Sequence, residues 1–139
     1  MHNPRMRAPR ALALLFPVAA ALAFAGCGSS DSRPAKWSFI SATITEPMCA
    51  TVNCHSAIAQ RAAIDMHDRT AGYNSLVGQQ VDGGNYSGKN FVIPMNVQAS
   101  TLFNWLHGQG AMRMPPDIPL PEADIDLIAA WVTAGAPNN

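Results

Sequence analysis

Cys49 and Cys54 are separated by Ala50, Thr51, Val52 and Asn53, and His55 follows the second cysteine at once, so three ligand-type side chains fall within one short stretch. No other feature constrains the fold as much, because the chain must close around a single point that both sulfurs and the imidazole can reach. The order is the one a chain needs to hold a haem covalently: each thiol adds to a vinyl group as a thioether, and the next imidazole reaches the iron. The usual spacer is two residues, and the two extra ones here are expected to bulge outward without moving the sulfurs. His55 is then the expected proximal ligand, with its other ring nitrogen donating to a backbone carbonyl that sets the ring plane.

The N-terminal segment reads as an address rather than as fold. Arg5, Arg7 and Arg10 precede an apolar run from Ala11 to Ala25 that is short for a membrane span and is interrupted by Pro17. Phe24-Ala25-Gly26-Cys27 resembles a bacterial lipobox, so residues 1–26 are expected to be a lipoprotein signal peptide and Cys27 the lipid-bearing first residue of the mature chain. An ordinary cleavage after Ala23-Phe24-Ala25, giving a soluble periplasmic or secreted product, is the alternative. Several acyl chains, at roughly 0.8 kcal/mol per buried methylene, anchor stably where a single chain does not. The expected location is the periplasmic side of a bacterial cell envelope.

Removal of the signal leaves 113 residues, enough for one domain with a modest core. Six Lys and Arg then face nine Asp and Glu, and this acidic balance argues against nucleic acid as a partner. Residues 27–36, rich in Gly, Ser, Asp and Pro, have the composition of a lipid-anchored linker, and residues 37–139 form the domain.

Within the domain the segments predict a loop-rich, mostly helical fold. Trp37 to Thr45 fits both an alternating strand and a helix face through Trp37, Ile40 and Ile44, with Pro47 ending either one. The stretch Ala57 to Ile64 is rich in helix formers, and a short helix is expected from Thr70 to Val77, closed by Gly78. Phe91-Val92-Ile93 reads as extended before Pro94, and Ser100 as the N-cap of a helix running to His107 and stopped by Gly108. The clearest helix follows Pro121. Glu122, Asp124 and Asp126 suit its positive end, Ile125, Ile128, Ala129 and Val132 line one face, and Gly135 with Pro137 terminates it.

Taken in order, Tyr73-Asn74-Ser75-Leu76-Val77-Gly78, Val92-Ile93-Pro94, Ser100-Thr101-Leu102, Arg113-Met114-Pro115-Pro116 and the closing Trp131-Val132-Thr133-Ala134-Gly135-Ala136 resemble the small monohaem cytochrome c domains of planctomycete-type exported proteins. The resemblance runs from about Trp37 to Ala136 and implies an all-α, small cytochrome c-like fold with haem in the core. It also implies that the segment before Cys49 is helical and packs near the C-terminal helix. One covalent haem c, single-electron transfer in the cell envelope, unidentified redox partner proteins and no enzymatic chemistry are what it implies for function.

For the second axial position Met114 is the first candidate, because Pro115 and Pro116 stiffen an extended loop able to hold a thioether over the iron. Met112, two residues away and on the same side of an extended stretch, is its rival, and Met95 beside Pro94 is a further one. His67 and His107 read more readily as solvated side chains, His107 suiting a helix C-terminus. Trp105, Trp131 and Phe103 are candidates for the apolar wall of a haem crevice. A competing reading makes the chain a non-haem exported binding or scaffolding lipoprotein with a Cys49–Cys54 disulfide. A zinc site built on Cys49, Cys54 and His55 lacks a fourth ligand at convincing spacing.

Overall fold

The computed structural model describes residues 31–139. The signal peptide and the lipid-bearing Cys27 expected from the sequence lie outside the described residues. The architecture is all-α and loop-rich: α1 (Trp37–Ile40), α2 (Glu46–Cys49), α3 (Arg69–Leu76), α4 (Leu102–His107) and α5 (Glu122–Thr133). Among the described residues β pairing is confined to two isolated bridges, Val77 with Val92 and Gln80 with Asn90.

α1 and α2 are two ends of one rod, joined by a wider turn of π-helix at Ser41–Thr45. This decides the ambiguous first segment in favour of helix, and it corrects the expectation that Pro47 would end it. The Glu46 N–H bonds to the Ser41 carbonyl and the Ala50 N–H to that of Thr45, each five residues back. Pro47, inside the rod, lies between these two five-residue steps, and the rod continues past it to Cys49.

α1 is held to α5 by aromatic packing. The Trp37 and Trp131 rings stack at 4.9 Å between centroids with both side chains fully buried, and Tyr73 from α3 meets each of them edge-on. Every polar tip in this cluster is satisfied: Trp37 Nε1 donates to the Arg69 carbonyl, Trp131 Nε1 to that of Pro137, and the Tyr73 hydroxyl to that of Ala136. Gly72 passes so close that an added Cβ would lie 3.1 Å from the Trp37 ring. The linker also takes part in the fold, because Arg33 is hydrogen-bonded to Asp31, to the Asp124 carboxylate and to the Ala123 carbonyl of α5. Cationic Arg33 thus sits at the acidic first turn of that helix.

Two local expectations are overturned. Ala57 to Ile64 is not a helix: it is a loop with a single turn of 3-10 helix at Arg61–Ala63, and Gln60, Ala62 and Ala63 have positive φ. Helix propensity is outweighed by tertiary bonds that fold the segment back, from the Arg61 N–H to the Cys54 carbonyl and from the Met66 N–H to the His55 carbonyl. Nor does Ser100 cap α4. Its hydroxyl accepts from the Ile93 N–H and donates to the Asn96 carbonyl, locking the bend after Pro94 instead. Gly108 does close α4 in the left-handed conformation.

Candidate functional site: an apolar crevice lined by Cys49, Cys54, His55 and Met114

The last residue of α2 is Cys49, and from there the chain makes a tight loop. The His55 N–H returns to the Cys49 carbonyl at 3.1 Å, and the Cys54 N–H bonds to that of Thr51 at 2.9 Å. The long spacer therefore closes on itself, Val52 standing 75% exposed at its tip while both cysteines stay half-buried on the inner side. Cys49, Cys54 and His55 all line one crevice enclosing about 820 Å³, its open mouth included. Both thiols are free. Burial, with a smaller contribution from neighbouring Cys54, pushes the Cys49 thiol up to about 11, so it stays protonated at neutral pH.

The loop from Ser56 to Met66 orients the imidazole. His55 Nδ1 lies 2.9 Å from the Arg61 carbonyl oxygen, which can only accept, so Nδ1 donates its proton there, and in the neutral ring the lone pair falls on Nε2. Nε2 makes no hydrogen bond among the described residues. The left-handed turn at Ala62 and Ala63 thus has a chemical consequence, because it carries the Arg61 carbonyl back to the ring.

Met114 lines the same crevice from the loop between α4 and α5, tied by its N–H to the Trp105 carbonyl at 2.8 Å and followed along the wall by Pro115 and Pro116. Met112 and Met95 do not line it and stand 68% and 77% exposed, so the three methionine candidates are separated by the path of the loop. His67 and His107 also lie elsewhere. His107 Nδ1 bonds to the Phe103 carbonyl and its Nε2 faces Glu122.

The walls are mostly apolar. Ile64, Met66, Leu76, Phe91 and Leu106 are buried around the crevice, Met48, Leu102 and Trp105 also line it, and Asp82 is its one carboxylate. Trp105 is thus a wall residue as expected, whereas Phe103 is buried outside the crevice, and Trp131 lines a smaller cavity behind it. Met48 and Met66 were not singled out from sequence; the signal for Met48 was its place beside Cys49, and Met66 carried none until the loop folded back.

Trp105 also carries an unsatisfied polar atom: its Nε1 is buried and has no hydrogen-bond partner among the described residues. A buried indole N–H normally finds an acceptor. Two thiols, an imidazole, a thioether and a mostly apolar cradle with one carboxylate, Asp82, suit a flat, largely apolar, metal-centred ring, and the residues fit a haem on chemistry and burial. Among the described residues no group of three or more His, Cys, Asp and Glu is placed to hold a bare metal ion.

Beside the crevice, His67 is clamped between Asp65 Oδ1 at 2.7 Å and Asp68 Oδ2 at 3.0 Å. The hydrogen bond to Asp65 is the main cause that raises the His67 pKa above 6.5, with the Asp65, Asp68 and Glu46 charges adding to it. The two aspartates are held below 3.8, Asp65 chiefly by the His67 backbone N–H and Asp68 chiefly by that of Ala71. The protonated ring's stabilising contribution is complete below pH 6.5 and is lost as pH rises through the folded value. The carboxylates contribute above pH 3.8 and lose that contribution as pH falls through their folded values. Asp65→Asn is expected to lower the His67 midpoint in a proton NMR titration; an unmoved midpoint would assign the shift to Asp68 and Glu46.

No family model, curated protein or solved structure matches this chain.

Proposed function

We propose that the chain is a c-type cytochrome, a carrier of single electrons through one covalently attached haem. The observation that carries this reading is that Cys49, Cys54, His55 and Met114, drawn from the end of α2 and two separate loops, line a single apolar crevice. A bound haem supplies an iron that takes up and returns one electron at a time. The chain's own residues supply the rest. Cys49 and Cys54 would hold the ring as thioethers, His55 would ligate through Nε2 while the Arg61 carbonyl keeps its plane, and Met114 would ligate from the opposite loop. Ile64, Met66, Leu76 and Phe91 would exclude water. His55 and Met114 would both be spent on holding the iron, which suits the proposed role of carrier rather than enzyme.

The proposed fold is accordingly the small cytochrome c-like one, in keeping with the stacking of α1 on α5 and the resemblance from Trp37 to Ala136. The proposed setting is a bacterial cell envelope, with the domain held to a membrane by lipid on Cys27 and exchanging electrons with unidentified redox proteins. Cys27→Ala is expected to release the domain from the membrane fraction. Its retention there would reject the anchor.

The deciding experiment is the intact mass and visible spectrum of the exported protein made in cells equipped to attach haem. A mass raised by one haem, with a sharp absorption band on reduction, is expected. A folded, colourless product whose mass is that of an oxidised cysteine pair would replace this reading with that of a disulfide-containing binding module.

A further inference from the structure

On another face of the molecule lies a second concavity of a different chemistry. It is an open groove of about 860 Å³ with the solvent at its mouth included, and Gln80, Asn90, Gln98 and Asn104 reach it from separate parts of the chain. Gln80 and Asn90 face one another across an antiparallel bridge, which puts both side chains on the same side of the ribbon. Asn104 comes from the first turn of α4, and Thr101 just before it is bonded through both its N–H and its hydroxyl to the Asn90 carbonyl. Gln98 comes from the turn between Pro94 and Ser100. The groove walls are therefore pinned to each other by the backbone rather than by the amides.

None of the four carboxamide groups makes a hydrogen bond within the described residues, so each keeps an unused N–H donor and carbonyl acceptor facing the same space. No carboxylate lines the groove, and Lys89, its one cation, sits with Nζ 5.4 Å from the centroid of the Tyr86 ring. A phosphate or nucleic acid site would need more positive charge. A metal site would need carboxylate, imidazole or thiolate. An apolar guest would leave four amides unpaired. Paired donors and acceptors without net charge match vicinal hydroxyl groups, each of which donates and accepts at once.

We propose that this groove binds a neutral polyhydroxylated chain, a short saccharide, and so gives the protein a docking function separate from the crevice. Cys49, Cys54, His55 and Met114 do not line it, so sugar binding by the folded protein is read separately from haem attachment.

The test is a titration of the isotope-labelled full-length mature protein with maltotriose, cellotriose and triacetylchitotriose, followed by NMR at the side-chain amide resonances. With at least one of them, saturable shifts confined to Gln80, Asn90, Gln98 and Asn104 are expected, with a Kd in about the millimolar range. The double variant Gln98→Ala with Asn104→Ala is expected to weaken binding about tenfold or more, while Met114→Ala leaves it unchanged. Absence of shifts with all three sugars, or equal affinity in the double variant, overturns the proposal. Tighter binding of a sulfated trisaccharide than of any neutral one overturns the assignment to a neutral ligand.

Discussion

Replacing Cys49 and Cys54 together with alanine is expected to abolish covalent haem attachment, so that the intact mass falls by one haem after export through the same attachment machinery. The same change is expected to destabilise the domain far more than the loss of two small side chains would. Each large apolar side chain contributes roughly 1.5–3 kcal/mol when fully buried, and Ile64, Met66, Leu76, Phe91 and Leu106 all turn toward the crevice. Without a tethered occupant those side chains face either water or an unfilled space, and a mature chain of this size has little stability in reserve. Differential scanning calorimetry of the double variant against the parent reads this directly. Equal melting temperatures and equal masses would mean that the crevice never carried a ring.

Replacing Met114 with alanine is expected to leave the thioethers intact while altering the iron. The mass stays that of the haem-bearing protein, the reduction potential falls by on the order of 0.1 V within the roughly 0.8 V span that axial ligands command, and carbon monoxide gains access in the reduced state. A thioether favours the reduced iron more than the water that would replace it. The exposure of Met112 and Met95 makes the prediction specific to Met114, because neither reaches the crevice without moving its loop. The variant Met112→Ala is the matching control and is expected to keep the parent's potential and spectrum. If it instead reproduces the Met114 phenotype, the loop must be turned by two residues in the haem-bearing protein.

The two variants separate attachment from ligation. Loss of the thioethers with a surviving noncovalent spectrum would show that His55 and Met114 suffice to hold the ring. Loss of potential with a surviving mass locates the change at the sixth ligand. Both results bear on the same crevice, and neither involves the amide-lined groove.

Much of this could be read along the chain because the chemistry is local. Cys49, Cys54 and His55 are near neighbours, and the expectation that the intervening loop bulges outward agrees with the exposure of Val52. α5 was legible from the spacing of its apolar residues and its acidic start, and α4 from its apolar face and closing glycine. Where the expectation failed, local preference met a longer-range bond. Ala57 to Ile64 has the composition of a helix, yet the carbonyls of Cys54 and His55 recruit its amides into a loop. Ser100 has the chemistry of a cap, yet Ile93 and Asn96 use its hydroxyl first.

Residue order alone determined that the two thiols and the imidazole would stand together and that the chain would be helical, since covalent connectivity and a 3.6-residue period require no knowledge of distant partners. Only the tertiary structure decided that Met114 rather than Met112 or Met95 lines the same crevice, that the Arg61 carbonyl accepts from His55 Nδ1, and that Trp105 Nε1 lies buried and unpartnered. Those are relations between residues far apart in the chain or between alternative faces of one loop, and such relations exist only once the apolar surfaces of α1, α3, α4 and α5 have closed on one another.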